Sequence, residues 1–207
     1  MKYILSISTL ILAINCQADI QTALTQNGTQ VILDDNGTWR YLEQKATINI
    51  QLNPNIFTKS KEQTFAIQSQ KNPTQLWIDP NTWSFKKSDG TGEYEFRYKQ
   101  GEVYAAMINE SIGSQTEDII KIAFQRARKV APDAKIVQTE YRNVNGKKVI
   151  FMQMEGTISG IKFSYLSYYF ANKNGMTQLM TYTGSSLVEQ YKEAIEIFLN
   201  GFVAGKD

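Results

Sequence analysis

Histidine does not occur in the 207 residues, and cysteine occurs once, at Cys16. The first absence removes the side chain that titrates near neutral pH and the commonest transition-metal ligand. With Cys16 inside a leader expected to be cut away, the rest of the chain has no thiol. Disulfides, thiolate nucleophiles and soft-metal sites are excluded together. Charge of one sign is also lacking, with 22 Lys and Arg against 20 Asp and Glu and no basic cluster. The electrostatic footprint of a nucleic-acid-binding protein is therefore missing. There is no Gly-rich phosphate loop, and no cofactor or metal is expected. Asp34, Asp35 and Asn36 do not form a calcium loop, because acidic residues at alternate positions and a closing Glu are not there.

Long apolar runs are absent too. The longest, Tyr3 to Ile14, is about half of the ~20 residues that cross a bilayer. It follows Lys2 and precedes Cys16 and Ala18, small residues in the −3 and −1 positions of a cleavage site before Asp19. Residues 1–18 read as a secretory signal peptide, which implies a periplasmic or secreted protein with no integral membrane segment after cleavage. The alternative is a lipoprotein carried on Cys16. That motif wants Leu three before the cysteine and a small residue directly before it, and the chain has Ala13 and Asn15.

Residues 19–45 contain short β-rich runs separated by Asn27-Gly28 and Asp35-Asn36-Gly37. Asn-Gly supplies the positive φ angles of a type I′ turn, so a small three-stranded meander is expected, with Val31 and Leu33 on one face. Its "DDNGTWRYLE" resembles a hairpin that recurs near the mature N-terminus of exported bacterial proteins. Residues 46–74 are polar and are taken as a connector, with a weak edge-strand pattern over Thr47 to Leu52. Ser60 with Gln63 is a possible helix start. From Gln75 the pattern sharpens. "QLWIDP" is a strand ended by Pro80, "NTWSFKK" a second strand, and "EYEFRYK" and "EVYAAMINE" flank Gln100-Gly101 as a hairpin. Ser114 to Pro132 has helical periodicity, with Ser114 and Glu117 as a capping box and Arg126, Arg128 and Lys129 at the dipole's negative end. Two hairpins follow, turning at Asn145-Gly146 and Asn174-Gly175. The second register is expected to place Tyr169 opposite Met180 and Phe170 opposite Leu179. A last helix opens at Ser186 and Glu189, carries Leu187, Tyr191, Ala194, Ile195, Phe198 and Phe202, and ends at Gly201.

Pro80 with Trp83, the capped helix, "VNGKK", the tyrosine-rich strand from Gly160 and the closing helix together resemble PsbP-like proteins and exported bacterial relatives of the DcrB type, over Gln75 to Val203. The resemblance implies an α+β domain over residues 75–207: an antiparallel β-sheet flanked by α-helices on both faces, a PsbP-like α/β/α sandwich with the small N-terminal β-meander before it. It also implies a non-enzymatic binding or interaction protein of the cell envelope, with an unknown protein or small molecule as partner. The strand "IKFSYLSYYF" has aromatic side chains on both faces, which suits a sheet covered on both sides. Tyr165, Tyr169 and Tyr182 are the candidate ligand-binding residues if an aromatic groove is present.

Catalytic patterns are weak. Ser84 to Lys87 and Ser159 to Lys162 spell Ser-x-x-Lys, but that dyad needs a helical turn and both lie on strands or turns. The carboxylate pairs Asp34 with Asp35, Glu93 with Glu95, Glu117 with Asp118 and Glu193 with Glu196 are sequence neighbours, whereas a glycosidase needs two facing each other across a cleft. The chain is expected not to be an enzyme; the alternative is a carbohydrate-binding protein or weak hydrolase using carboxylates and aromatics. The "CQAD" junction generates one prediction. Intact-mass spectrometry of the exported protein should give a mature chain starting at Asp19, and a Met1 start or a lipid mass on Cys16 would refute it.

Overall fold

The computed structural model describes residues 21–25, 30–33, 37–41, 50–90 and 92–205. The expected signal segment and the turns at Asn27-Gly28 and Asp35-Asn36 lie outside the described residues. In chain order the elements are β1 (Gln21–Leu24), β2 (Gln30–Leu33), β3 (Trp39–Tyr41), β4 (Gln51–Phe57), β5 (Phe65–Gln68), β6 (Thr74–Ile78), β7 (Trp83–Lys87), β8 (Tyr94–Tyr98) and β9 (Tyr104–Glu110). Then come α1 (Thr116–Val130), β10 (Lys135–Val144), β11 (Lys147–Ile158), β12 (Ile161–Asn172), β13 (Gly175–Gly184), a 3₁₀ turn at Ser185–Leu187, α2 (Val188–Asn200) and β14 (Phe202–Ala204). The fold is α+β, mostly sheet with two helices.

The main sheet has eight strands in the order β4-β10-β11-β12-β13-β9-β8-β7. β1 to β3 form a separate antiparallel three-stranded sheet, and β14-β6-β5 another. Tight turns drive the central pairing. Asn145 and Gly146 have φ of 48° and 80°, as a type I′ turn requires, and Ser159 and Gly160 repeat the geometry at 51° and 80°. Strand β12 alternates between two clusters. Leu166, Tyr168 and Phe170 pack with Phe151, Leu179 and the α2 residues Val188, Ile195, Phe198 and Leu199. Tyr169 instead packs with Ile150, Met152, Met154 and the α1 residues Ile119 and Ile120. The small sheet joins the first cluster through Ile67, Leu76, Ile78 and Phe202.

Several local expectations are corrected. The main sheet is mixed, because edge strand β4 pairs parallel to β10, Tyr141 against Leu52 and Val144 against Phe57. The stretch 46–74 therefore holds two strands, β4 and β5, and does more than connect. It lacks their apolar alternation because β4 is an edge strand, with Leu52 and Ile56 open to solvent. No helix opens at Ser60. The backbone N–H of Ser60 does donate to Gln63 Oε1 at 2.8 Å, but buried Gln63 spends its Nε2 on the carbonyls of Trp77 and Ile197, both at 2.8 Å. Neither helix has a side-chain cap; the residues before them are Gln115 and Leu187. Glu117 accepts instead from the Tyr141 hydroxyl at 2.5 Å, and Thr116 Oγ1 accepts the Ala171 N–H at 3.1 Å, so α1 is pinned to the sheet rather than to itself.

The β12–β13 turn is Lys173-Asn174, with Asn172 paired to Gly175, so Tyr169 faces Gln178 and Phe170 faces Thr177. Asn172 Oδ1 accepts the Asn174 N–H at 2.9 Å, an Asx turn that outcompetes the Asn-Gly alternative. Moving a hairpin turn by one residue shifts each partner by two, so the faces are unchanged. Gly201 is not left-handed; its φ is −69°. It is needed because a Cβ there would lie 2.0 Å from the Trp77 carbonyl oxygen and 2.5 Å from Gln63 Nε2. Phe202 leaves the helix and is buried in β14.

Two substitutions check this packing by urea unfolding. Phe198, fully buried with its ring 4.1 Å from that of Trp83, should cost about 3–5 kcal/mol as Phe198→Ala. Gly201→Ala should cost about 1–3 kcal/mol by overpacking. A loss below about 0.5 kcal/mol in either would contradict the placement of α2.

Candidate functional site

On the sheet face that carries Tyr169, α1 covers only part of the width. It seats through Ile119, Ile120 and Phe124, where side chains are large. Ala123 and Ala127, one turn apart, pack against the same cluster with short side chains. A groove of about 370 Å³ results. Its helix wall is Ala123, Arg126, Ala127 and Val130; its sheet wall includes Ile108, Met154, Tyr165 and Met180. A second cavity of about 360 Å³ adjoins it, sharing Ile108, Ala123, Arg126 and Gln178, and is closed by Thr22 to Leu24 of β1. Large apolar side chains at the two extremes are left to water: Val130 is 65% exposed and Ile112 58%.

The charged groups at this groove are few. Glu155 is paired with Lys162 at 2.9 Å and Lys135 at 3.7 Å. The hydrogen bond from Lys162 holds its carboxyl below the usual range. Arg126 has no ion-pair partner among the described residues. Gln178 donates its amide to the Tyr169 hydroxyl at 3.3 Å.

The three tyrosines singled out in the sequence are not equivalent. Tyr165 lines the groove. Tyr169 is fully buried beneath α1 and is withdrawn from any ligand surface. Tyr182 faces Tyr165 and Tyr104 across adjacent strands, with ring centroids 5.9 Å and 5.5 Å away. It lines a separate concavity of about 370 Å³ with Arg97, Glu95 and Lys86. The groove residues Ala123, Arg126, Ala127, Met154 and Met180 were missed, because alanines on an apolar stripe and arginines near a helix end have ordinary local explanations. The one available signal was two alanines at i, i+4 within that stripe.

Two of the carboxylate pairs weighed and set aside in the sequence are engaged in local contacts. Glu93 accepts from Ser69 Oγ and Asn109 Nδ2, both at 2.8 Å, and from the Gln70 N–H. Glu95 takes Lys86 at 3.2 Å and Ser88 Oγ at 2.8 Å. Glu117 is held by Tyr141 and Asp118 by Lys121. Among the described residues, no three His, Cys, Asp or Glu side chains gather as a metal site. Nor is any described helix long and apolar enough to cross a membrane.

A family model described as "Protein of unknown function (DUF3157)" matches residues 2–161. No curated protein matches the sequence significantly. Among solved structures, the chain is similar to the cyanobacterial PsbP protein CyanoP from Synechocystis sp. PCC 6803, with a TM-score of 0.54 at 13% identity, over 68% of this chain and 91% of that one. That likeness shows a PsbP-like fold. LpqN, described as involved in cell envelope biogenesis of Mycobacterium tuberculosis, gives a TM-score of 0.49 at 9% identity, over 69% and 90% of the two chains.

The buried tyrosines predict a pH dependence. Burial pushes Tyr168 up to about 12, and burial together with Glu117 does the same for Tyr141. Burial also raises Tyr169. Because the folded values lie above the ordinary value near 10, the stability these phenols contribute is complete below about pH 10 and is lost as pH rises through about 12. Phenolate absorbance should therefore show a late fraction of tyrosines that ionise together with unfolding. A single transition near pH 10 for all of them, with the fold retained, would contradict it.

Proposed function

The chain belongs to the DUF3157 family, and from that premise we propose that it is an exported, non-enzymatic binding protein of the bacterial cell envelope whose ligand sits beside α1. The observation that carries the reading is the groove itself. Its walls are apolar on both sides, and its volume falls in the range of small-molecule sites. Its charged residues do not form an acid–base pair, since a guanidinium is a fixed charge rather than a proton shuttle and Glu155 is kept ionised by two lysines. Export rests on the signal pattern before Asp19. The architecture belongs to the same reading: an α/β/α sandwich preceded by a meander, supported by one cluster that includes α1 and another that includes α2.

A second reading is supported by the row Tyr104, Tyr182 and Tyr165 beside Arg97 and Glu95. Aromatic rings with flanking polar groups are the surface of a carbohydrate-binding protein, and Tyr104 is 36% exposed.

The test pairs location with binding. Fractionation of the producing cells should recover the protein outside the cytoplasm. The purified chain should bind the dye anilinonaphthalene sulfonate, an apolar aromatic body with one anionic sulfonate, saturably in its folded state. Ala127→Phe, filling the groove, should abolish that binding without lowering the melting temperature by more than a few degrees. Cytoplasmic recovery, or dye binding that Ala127→Phe leaves intact, would overturn the reading. Retention on polysaccharide lost with Tyr104→Ala and Tyr182→Ala would install the second.

A further inference from the structure

We propose that the groove beside α1 takes a free single-chain amphiphile with an anionic head, the alkyl chain lying over Met154 and Met180 and the head meeting Arg126. This rests on the groove being the binding site and adds the ligand's class. The apolar part of the argument is the wall chemistry. Ala123, Ala127 and Val130 face Ile108, Met154 and Met180, and methionine is an unbranched, adaptable lining that follows a flexible chain without a fixed shape. Aromatic or sugar ligands would want a flat ring wall, and only Tyr165 offers one here. The exposure of Val130 at one end and Ile112 at the other leaves apolar surface that a long, narrow ligand would cover and a compact one would not.

The charge part is the asymmetry at the rim. Arg126 lines both cavities and has no ion-pair partner among the described residues, while Arg128 and Lys129 follow it in the last turn of α1. The acidic residue of the first cavity, Glu155, is already neutralised by Lys162 and Lys135. Glu110 is the acidic residue among those lining the second cavity. An anion is thus accepted at the first cavity and repelled from the second, which orients the chain. The helix's negative end opposes this weakly, and Arg126 together with Arg128 and Lys129 of the last turn outweighs it.

The test uses dodecanoate, below its micelle concentration, as the probe, with dodecyl maltoside and dodecyltrimethylammonium as head-group controls, each displacing the dye from the full mature chain. Dodecanoate should bind more tightly than both controls. Arg126→Gln should weaken dodecanoate by about tenfold, leave the maltoside within about twofold, and cause no loss of melting temperature. Arg126→Lys should restore part of the preference. Equal affinity for all three head groups, or no effect of Arg126→Gln, would overturn the anionic assignment while leaving the groove as a binding site. Failure of every amphiphile and of the dye would overturn the groove reading as well. If the chain self-associates and Ala127→Phe disrupts that association, the occupant is a second copy and the inference fails; binding only to chains embedded in phosphatidylcholine vesicles would likewise refute a free ligand.

Discussion

Strand β12 sets the terms for the rest of the molecule. Its residues alternate Leu166, Tyr168, Phe170 against Tyr165 and Tyr169, so neither face of the sheet centre can be left in water. Burying one such side chain stabilises by roughly 1.5–3 kcal/mol, and leaving a whole face open would forfeit that several times over. Residues of α2 and the small sheet join one cluster, and residues of α1 join the other. The coverage is unequal. Strands sit about 4.8 Å apart and a helix is about 10 Å wide, so one helix spans two or three strands of eight. On the α1 face the remainder runs outward through Met180 and Tyr182, then Ala106 and Tyr104, to Glu95 with Arg97 and Lys86 with Ser84, each set opposite the last in register. Side chains grow more polar as the helix recedes. The groove lies at the margin, where the sheet is still apolar and the helix presents Ala123 and Ala127.

Polar groups fix the layers that apolar packing leaves free to slide. Arg142 is buried, its guanidinium 3.8 Å from the Phe151 ring centroid and 4.6 Å from that of Phe57, with Nε donating to Glu140 at 2.6 Å. Asn53 donates to the same carboxylate oxygen at 3.0 Å, so β4 is held against β10 by side chains as well as by its ladder. Glu140 and Arg142 form a partly desolvated pair, and such pairs specify arrangement more than they stabilise it. At the far side Asn109, fully buried, accepts from Thr177 at 2.7 Å and Thr74 at 3.2 Å, tying the small sheet to β9 and β13.

What the sequence made legible follows from range. Asn145-Gly146 dictates its hairpin through two positive φ angles, and the α1 periodicity needs nothing beyond its own fifteen residues. Contacts between distant segments left no such mark. Ser114 and Glu117 spell a capping box, yet Glu117 is claimed by Tyr141, a partner that only the folded sheet brings near. Asn172 to Gly175 offers two turns of similar local merit, and its Asx bond decides between them. The strand β4 has Asn53, Pro54 and Asn55 in its middle and reads as loop until β10 supplies a partner. The groove is legible least of all, since a void is a property of two surfaces and neither surface records it alone.

The long-range pairings of β4 with β10, which is parallel, and of β14 with β6, which is antiparallel, bear on the order of assembly. Residue 51 waits for residue 140, and residues 74–76 wait for 202–204. Closing such long loops is slow and unrewarded until the last contact forms, which gives the domain a high contact order. The sheet interior can pair early through its hairpins, but β4 joins only once β10 is present, and the small sheet is complete only once the final strand is. Under the export proposed above, this delay would serve passage through a membrane pore, because the topology itself postpones the compact state.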